Sequence, residues 1–275
     1  MASGHRALAL IVFGCLIAAE VAGGCQIPLE RTRSSFVTAA WIDDRGPFRL
    51  LVDSGTSVTI VSRRVAEALQ LTGGQTIEAS STTGPVEVTA TTIRELRTGA
   101  YSRSDVAAFI LDLPRFQSHG ELDGILGANF LAGESYLLDV RRSCLTVGLP
   151  AEHIRGGERM PSTVIAGRVA IDASGMRWTL DSAATMTVLI SEKARSLAAR
   201  GERTRITSAA GTRDVDSAHI AALPLGTLVF KNVPAVLVPG DTGEDGLLPV
   251  TLFDNIYVSA ARDYVVIGVR STFRS

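Results

Sequence analysis

Two stretches of this chain repeat each other. "FRLLVDSGTSVTIVS" (48–62) and "MRWTLDSAATMTVLIS" (176–191) each carry Arg four residues before an Asp-Ser, then a small residue, then a β-branched apolar run. Their surroundings match in the same order. "FVTAAWIDDRGP" and "VIAGRVAIDASG" precede them as strand-plus-turn patterns. "SRRVAEALQL" and "SEKARSLAAR" follow as short helical patterns, then the Gly-turn hairpins "SSTTGPVEV" and "TSAAGTRDV". "DGILGANFL" pairs with "DGLLPVTLF", and "YLLDVRRSCLTVG" with "YVSAARDYVVIG". Repetition in fixed order marks a tandem duplication of one structural unit. It predicts two halves related by a pseudo-two-fold axis passing between Asp53 and Asp181.

Short Val-, Ile- and Thr-rich runs of period two, broken by turn residues, predict an all-β fold with one or two short helices per half. Residues 36–149 form the first half and 163–272 the second. The polar Gly- and Pro-containing residues 150–162 read as the linker between them. One Asp-Ser-Gly alone would be ordinary turn chemistry, since Asp and Ser bond nearby backbone. A second carboxylate in the matching position calls for another reason.

The formal charge of −1 gives a nucleic-acid partner no electrostatic support. Of the 27 basic residues only Lys193 and Lys231 are lysine, a bias of composition rather than recognition. Four scattered histidines and no Cys-x-x-Cys spacing point to no metal site.

At the amino terminus the apolar run "ALALIVFGCLIAA" suits the core of an export signal and is short for a membrane span. Residues 1–24 read as a signal peptide cut after "VAGG" and residues 25–35 as a tether. The stretch ending at Cys25 resembles a bacterial lipoprotein signal, which implies a lipidated Cys25 and a membrane tether facing the periplasm. An ordinary secreted protein cut near Gly24, or an uncleaved anchor, is the alternative. Cys144 then reads as a small buried hydrophobe, with no disulfide holding the fold.

"LLVDSGTSVTIVS" followed about 70 residues later by "DGILGANFL" resembles the pepsin and retropepsin-like aspartic proteases. The resemblance covers nearly the whole mature chain, sharply in the first half and loosely in the second. It implies a bilobal acid-protease fold of two retropepsin-like β-barrel halves, with Asp53 and Asp181 as a catalytic dyad. Two carboxylates about 3 Å apart cannot both ionise, so one acts as base on a water while its protonated partner polarises the scissile carbonyl. The resemblance implies no cofactor, a peptide or protein substrate and a monomer.

By the same resemblance Ser54 and Ser182 lock the halves together and Gly55 allows close approach to the carboxylate. Gly127 packs behind the loop, and Thr56 donates to Asp53. Thr83-Gly84 and Ala210-Gly211 are the hairpin tips expected to act as flaps. The second half departs from the pattern at Ala183, where Gly is expected and positive φ would strain an L-residue. It departs again at Pro249, which lacks a backbone donor. These departures leave a second reading open, a catalytically weak or inactive binding module of the same fold. A third reading, a β-domain scaffold, requires the two aspartates to lie far apart. Asp123 and Asp245 read as loop residues, and Phe109, Ile125 and Phe130 as core.

Overall fold

The structure, a computed structural model, describes residues 25–32, 35–114, 120–268 and 270–271. The expected signal peptide lies outside the described residues. The chain is built almost wholly of strands, in an eight-stranded sheet for the first half and a thirteen-stranded sheet that runs through the second.

Each half has the same heart. Strand Arg45–Asp53 lies antiparallel to Phe36–Ile42 and parallel to Gly124–Gly127, with Asp53 opposite Gly127. Strand Met176–Asp181 lies antiparallel to Arg168–Ala173 and parallel to Gly246–Pro249, with Asp181 opposite Pro249. The unbroken apolar run before Asp53 is explained by burial on both faces. Leu50 and Val52 enter the main core, while Leu51 enters a second cluster with Ile60, Val88 and Ile125.

Asp123 and Asp245, as expected, do loop work. Each takes a backbone N–H from the strand leading to the dyad, that of Arg49 or Arg177, at 2.8 Å. Phe130 and Ile125 are buried in the core, and Phe109 is partly buried against it. Ser62 and Ser191 cap the short helices Arg63–Leu69 and Glu192–Arg195 through their side-chain oxygens. The second helix is one turn long, shorter than its sequence pattern. The chain is drawn instead into strand Ala199–Ser208, which pairs with Gly211–Leu225.

The halves join in a sheet to which both contribute, ordered Ile27–Pro28, Cys144–Val147, Tyr136–Asp139, Asn255–Ser259, Tyr264–Ile267, Glu158–Ile165. Its central pair is symmetric, with Leu137 opposite Tyr257 and Leu138 opposite Ile256. Glu158–Ile165 begins inside the stretch expected to be linker, because its first four residues, Glu158 to Pro161, pair in succession with Tyr264–Ile267.

Two expectations are corrected here. Cys25 and Cys144 form a disulfide, so Cys144 is a cross-link and not a free buried hydrophobe. Lipidation of Cys25 would use the same sulfur, so it is incompatible with this bond. Residues 25–32 are likewise no free tether. Ile27 is fully buried, Ile27–Pro28 pairs with Leu145 and Cys144, and the Val147 N–H donates to Gln26 Oε1 at 2.6 Å.

The sequence separation of 119 makes this a long closed loop, and such cross-links stabilise chiefly by restricting the unfolded chain. Cys144→Ser should lower stability by about 2–4 kcal/mol. Thermal melts of wild type and variant, with and without reductant, check it. Equal melting temperatures would remove the cross-link from the account of stability.

Candidate active site

Asp53 and Asp181 end equivalent strands, and the loops after them meet across the interface. The Ser54 N–H donates to Ser182 Oγ (2.9 Å) and the Ser182 N–H to Ser54 Oγ (3.1 Å). The Ser54 hydroxyl then donates to the Leu180 carbonyl and the Ser182 hydroxyl to the Val52 carbonyl, each at 2.7 Å. Reciprocal pairing of this kind requires a two-fold relation, since translation would not return each bond. Ser182 is buried, 2% exposed, while Ser54 is partly exposed.

The loops hold their carboxylates differently. Asp53 Oδ1 accepts from the Gly55 N–H at 2.9 Å, and its Oδ2 from the Thr56 hydroxyl at 2.7 Å. Asp181 Oδ1 accepts from both the Ala183 and Ala184 N–H groups at 2.8 Å. Its own loop thus gives Asp53 a donor on each oxygen, while both donors to Asp181 fall on Oδ1. Burial first and the charge of Asp53 second push the Asp181 carboxyl up to about 7. Burial also raises Asp53, opposed chiefly by the Thr56 hydroxyl and then the Gly55 N–H. The Thr56 hydroxyl and Gly55 N–H favour the charged form of Asp53, and that charge in turn disfavours a second one on Asp181.

Gly55 adjoins both carboxylates, donating to Asp53 and facing Asp181. A Cβ there would stand 2.4 Å from Asp181 Oδ2 and 2.5 Å from its Cγ. Glycine is required by this approach of the opposite carboxylate. Gly127 is equally confined, since a Cβ on it would stand 2.6 Å from the Val58 carbonyl carbon behind the loop.

The second half departs less than its sequence suggests. Ala183 is not among the residues with positive φ, so the expected backbone strain is absent. It packs across the interface against the first half's cluster of Val37, Leu51 and Ile60. Pro249 keeps the register of its counterpart Gly127. Its cost falls elsewhere. In the first half Thr59 Oγ1 donates to Asn129 Oδ1 and accepts the Gly127 N–H. Pro249 has no N–H and Thr251 replaces the amide, and the hydroxyl of the equivalent Thr187 is buried with no partner among the described residues. An orphaned buried hydroxyl costs about 1–3 kcal/mol.

Thr83-Gly84 and Ala210-Gly211 stand at the turns of equivalent long hairpins. Thr83 Oγ1 lies 2.6 Å from Ser208 Oγ, so the two tips touch. Ala79 and Val86 of the first hairpin and Ala209 of the second pack on the same cluster as Ala183. Both hairpins thus share a packing cluster with the second Asp-Ser loop.

Sequence reasoning missed Arg168 and Glu244. Arg168 Nη2 pairs with Glu244 Oε2 at 2.8 Å, and the Glu244 side chain is 1% exposed. Arg168 Nη1 also lies 3.4 Å from the Gly55 carbonyl oxygen. Neither residue stands in the Asp-Ser motif, and nothing in its spacing marks them.

A search of curated proteins finds no match to this chain. The sequence model of one family, described as aspartyl protease, matches residues 38–130 and again 167–251, together more than half of the chain. Each match contains one Asp-Ser loop and reaches the strand behind it. With the reciprocal serines joining the two Asp-Ser loops, this bilobal all-β chain belongs to the aspartyl protease family.

Proposed function

We propose that the protein is an exported aspartic endopeptidase that hydrolyses peptide bonds with a water activated between Asp53 and Asp181. The observation that carries this reading is the dyad's asymmetry: Asp53 holds a loop donor on each oxygen, whereas both loop donors to Asp181 fall on Oδ1. Asp53 takes the proton of the attacking water as general base. Asp181, protonated, donates to the carbonyl oxygen; as the tetrahedral intermediate collapses, Asp181 takes a proton back from its hydroxyl while Asp53 passes its proton to the leaving amine. Each half supplies one carboxylate, so neither half works alone. The substrate is an extended peptide enclosed beneath the hairpin tips at Thr83 and Ser208, and the working unit is the monomer.

The disulfide supports an oxidising compartment, the cell envelope or the exterior. Peptide mapping of the native protein without reductant tests this through a linked Cys25–Cys144 peptide. A lipid-bearing Cys25 would overturn it.

Incubating the mature chain with an unfolded protein between pH 3 and 8, and reading new termini by mass spectrometry, tests the activity. No cleavage at any pH would favour the binding module, whose motive is the second half's orphaned Thr187. Thr56→Ala sharpens the test. It removes a donor to the charged form of Asp53, so the Asp53 pKa rises and the acid limb of the profile moves to higher pH. An unmoved limb would remove Thr56 from the mechanism.

A further inference from the structure

We infer that Arg168, held by the buried Glu244, is a positioning residue of the dyad that fixes the first Asp-Ser loop from the opposite half. This rests on the peptidase reading above. The geometry carries it. Arg168 begins a second-half strand, yet its guanidinium reaches the carbonyl of Gly55, the first-half residue that adjoins both carboxylates. The turn before it approaches the same loop, since a Cβ on Gly167 would lie 3.9 Å from the Ser57 Cβ. Glu244 takes the other terminal nitrogen from a site closed to water. The side chain is thus clamped between a buried anion and the loop whose position sets the spacing of the dyad. A planar guanidinium can hold both acceptors at once, whereas an ammonium cannot match that fork.

The charge has a second effect. Besides Glu244, the titratable groups that act with Arg168 are Asp53 and Asp181, and its positive charge lowers both. It thereby acts in the same direction as the Thr56 hydroxyl, against the rise that burial imposes on Asp53. Glu244 offsets part of that charge, but the guanidinium is the member of the pair that touches the loop.

Arg168→Met alone would strand the buried Glu244 carboxylate, so the test pairs it with Glu244→Gln. The double variant should fold, keep its KM, lose about tenfold in kcat and move the acid limb up by about half a unit. Arg168→Lys keeps the charge and loses the fork, so kcat should fall with the limb in place. Titrating the aspartate carboxyl carbons by 13C NMR reads the same shift without peptide cleavage. The inference can therefore be judged even if the peptidase reading fails. A folded double variant with wild-type kcat and unmoved carboxyl titration would overturn it. Loss of KM alone would also overturn it, since that would make Arg168 a substrate contact.

Discussion

Asp53→Asn and Asp181→Asn will each lower peptide cleavage by about a thousandfold or more, because base and acid are both needed. Asparagine keeps the acceptor oxygen that takes the loop N–H groups, so the fold should persist in both variants. The two differ in stability. A carboxyl raised to about 7 when folded holds a proton that the unfolded chain releases from about pH 4 upward. Stability contributed by Asp181 is therefore complete below pH 4 and is lost as pH rises through 7. Asp181→Asn cannot ionise and should escape that loss, melting higher than wild type at pH 7.5 and about equally at pH 4. Full activity in either variant would sink the dyad. An Asp181→Asn melting curve identical to wild type at both pH values would sink the raised carboxyl.

Gly55→Ala should cost at least about a hundredfold in kcat while leaving the circular dichroism spectrum intact. The added methyl would stand 2.4 Å from Asp181 Oδ2, closer than non-bonded atoms approach. Asp181 cannot yield easily. It is 8% exposed and tied by two N–H groups of its own loop. One carboxylate must then leave its partner. The reverse change, Ala183→Gly, should leave activity nearly unaltered, because Ala183 already sits in relaxed backbone. Steady-state kinetics on both variants decide it. A Gly55→Ala enzyme with wild-type kcat would mean that the two carboxylates have room to separate.

These contrasts show what was legible in the chain. The duplicated Asp-Ser segments, with strand patterns in the same order around them, determined the all-β class, the two-fold arrangement and the identity of Asp53, Asp181, Ser54 and Ser182. A repeat records which residues are equivalent, and only a two-fold axis lets equivalent loops meet. Tertiary structure decided whatever depends on which atoms approach across the interface. It replaced the expected strain at Ala183 with an unstrained loop, since φ is set by the whole loop and not by residue type. It moved the cost of Pro249 to the hydroxyl of Thr187, some sixty residues distant in sequence. It joined Cys25 to Cys144 across 119 residues, because the first strand folds back beside Cys144–Val147. It also brought Arg168 and Glu244 to the first Asp-Ser loop from outside any motif. Pairings between distant residues leave no periodicity in the sequence, and the physical reason is that they are fixed by packing of the two halves rather than by local propensity.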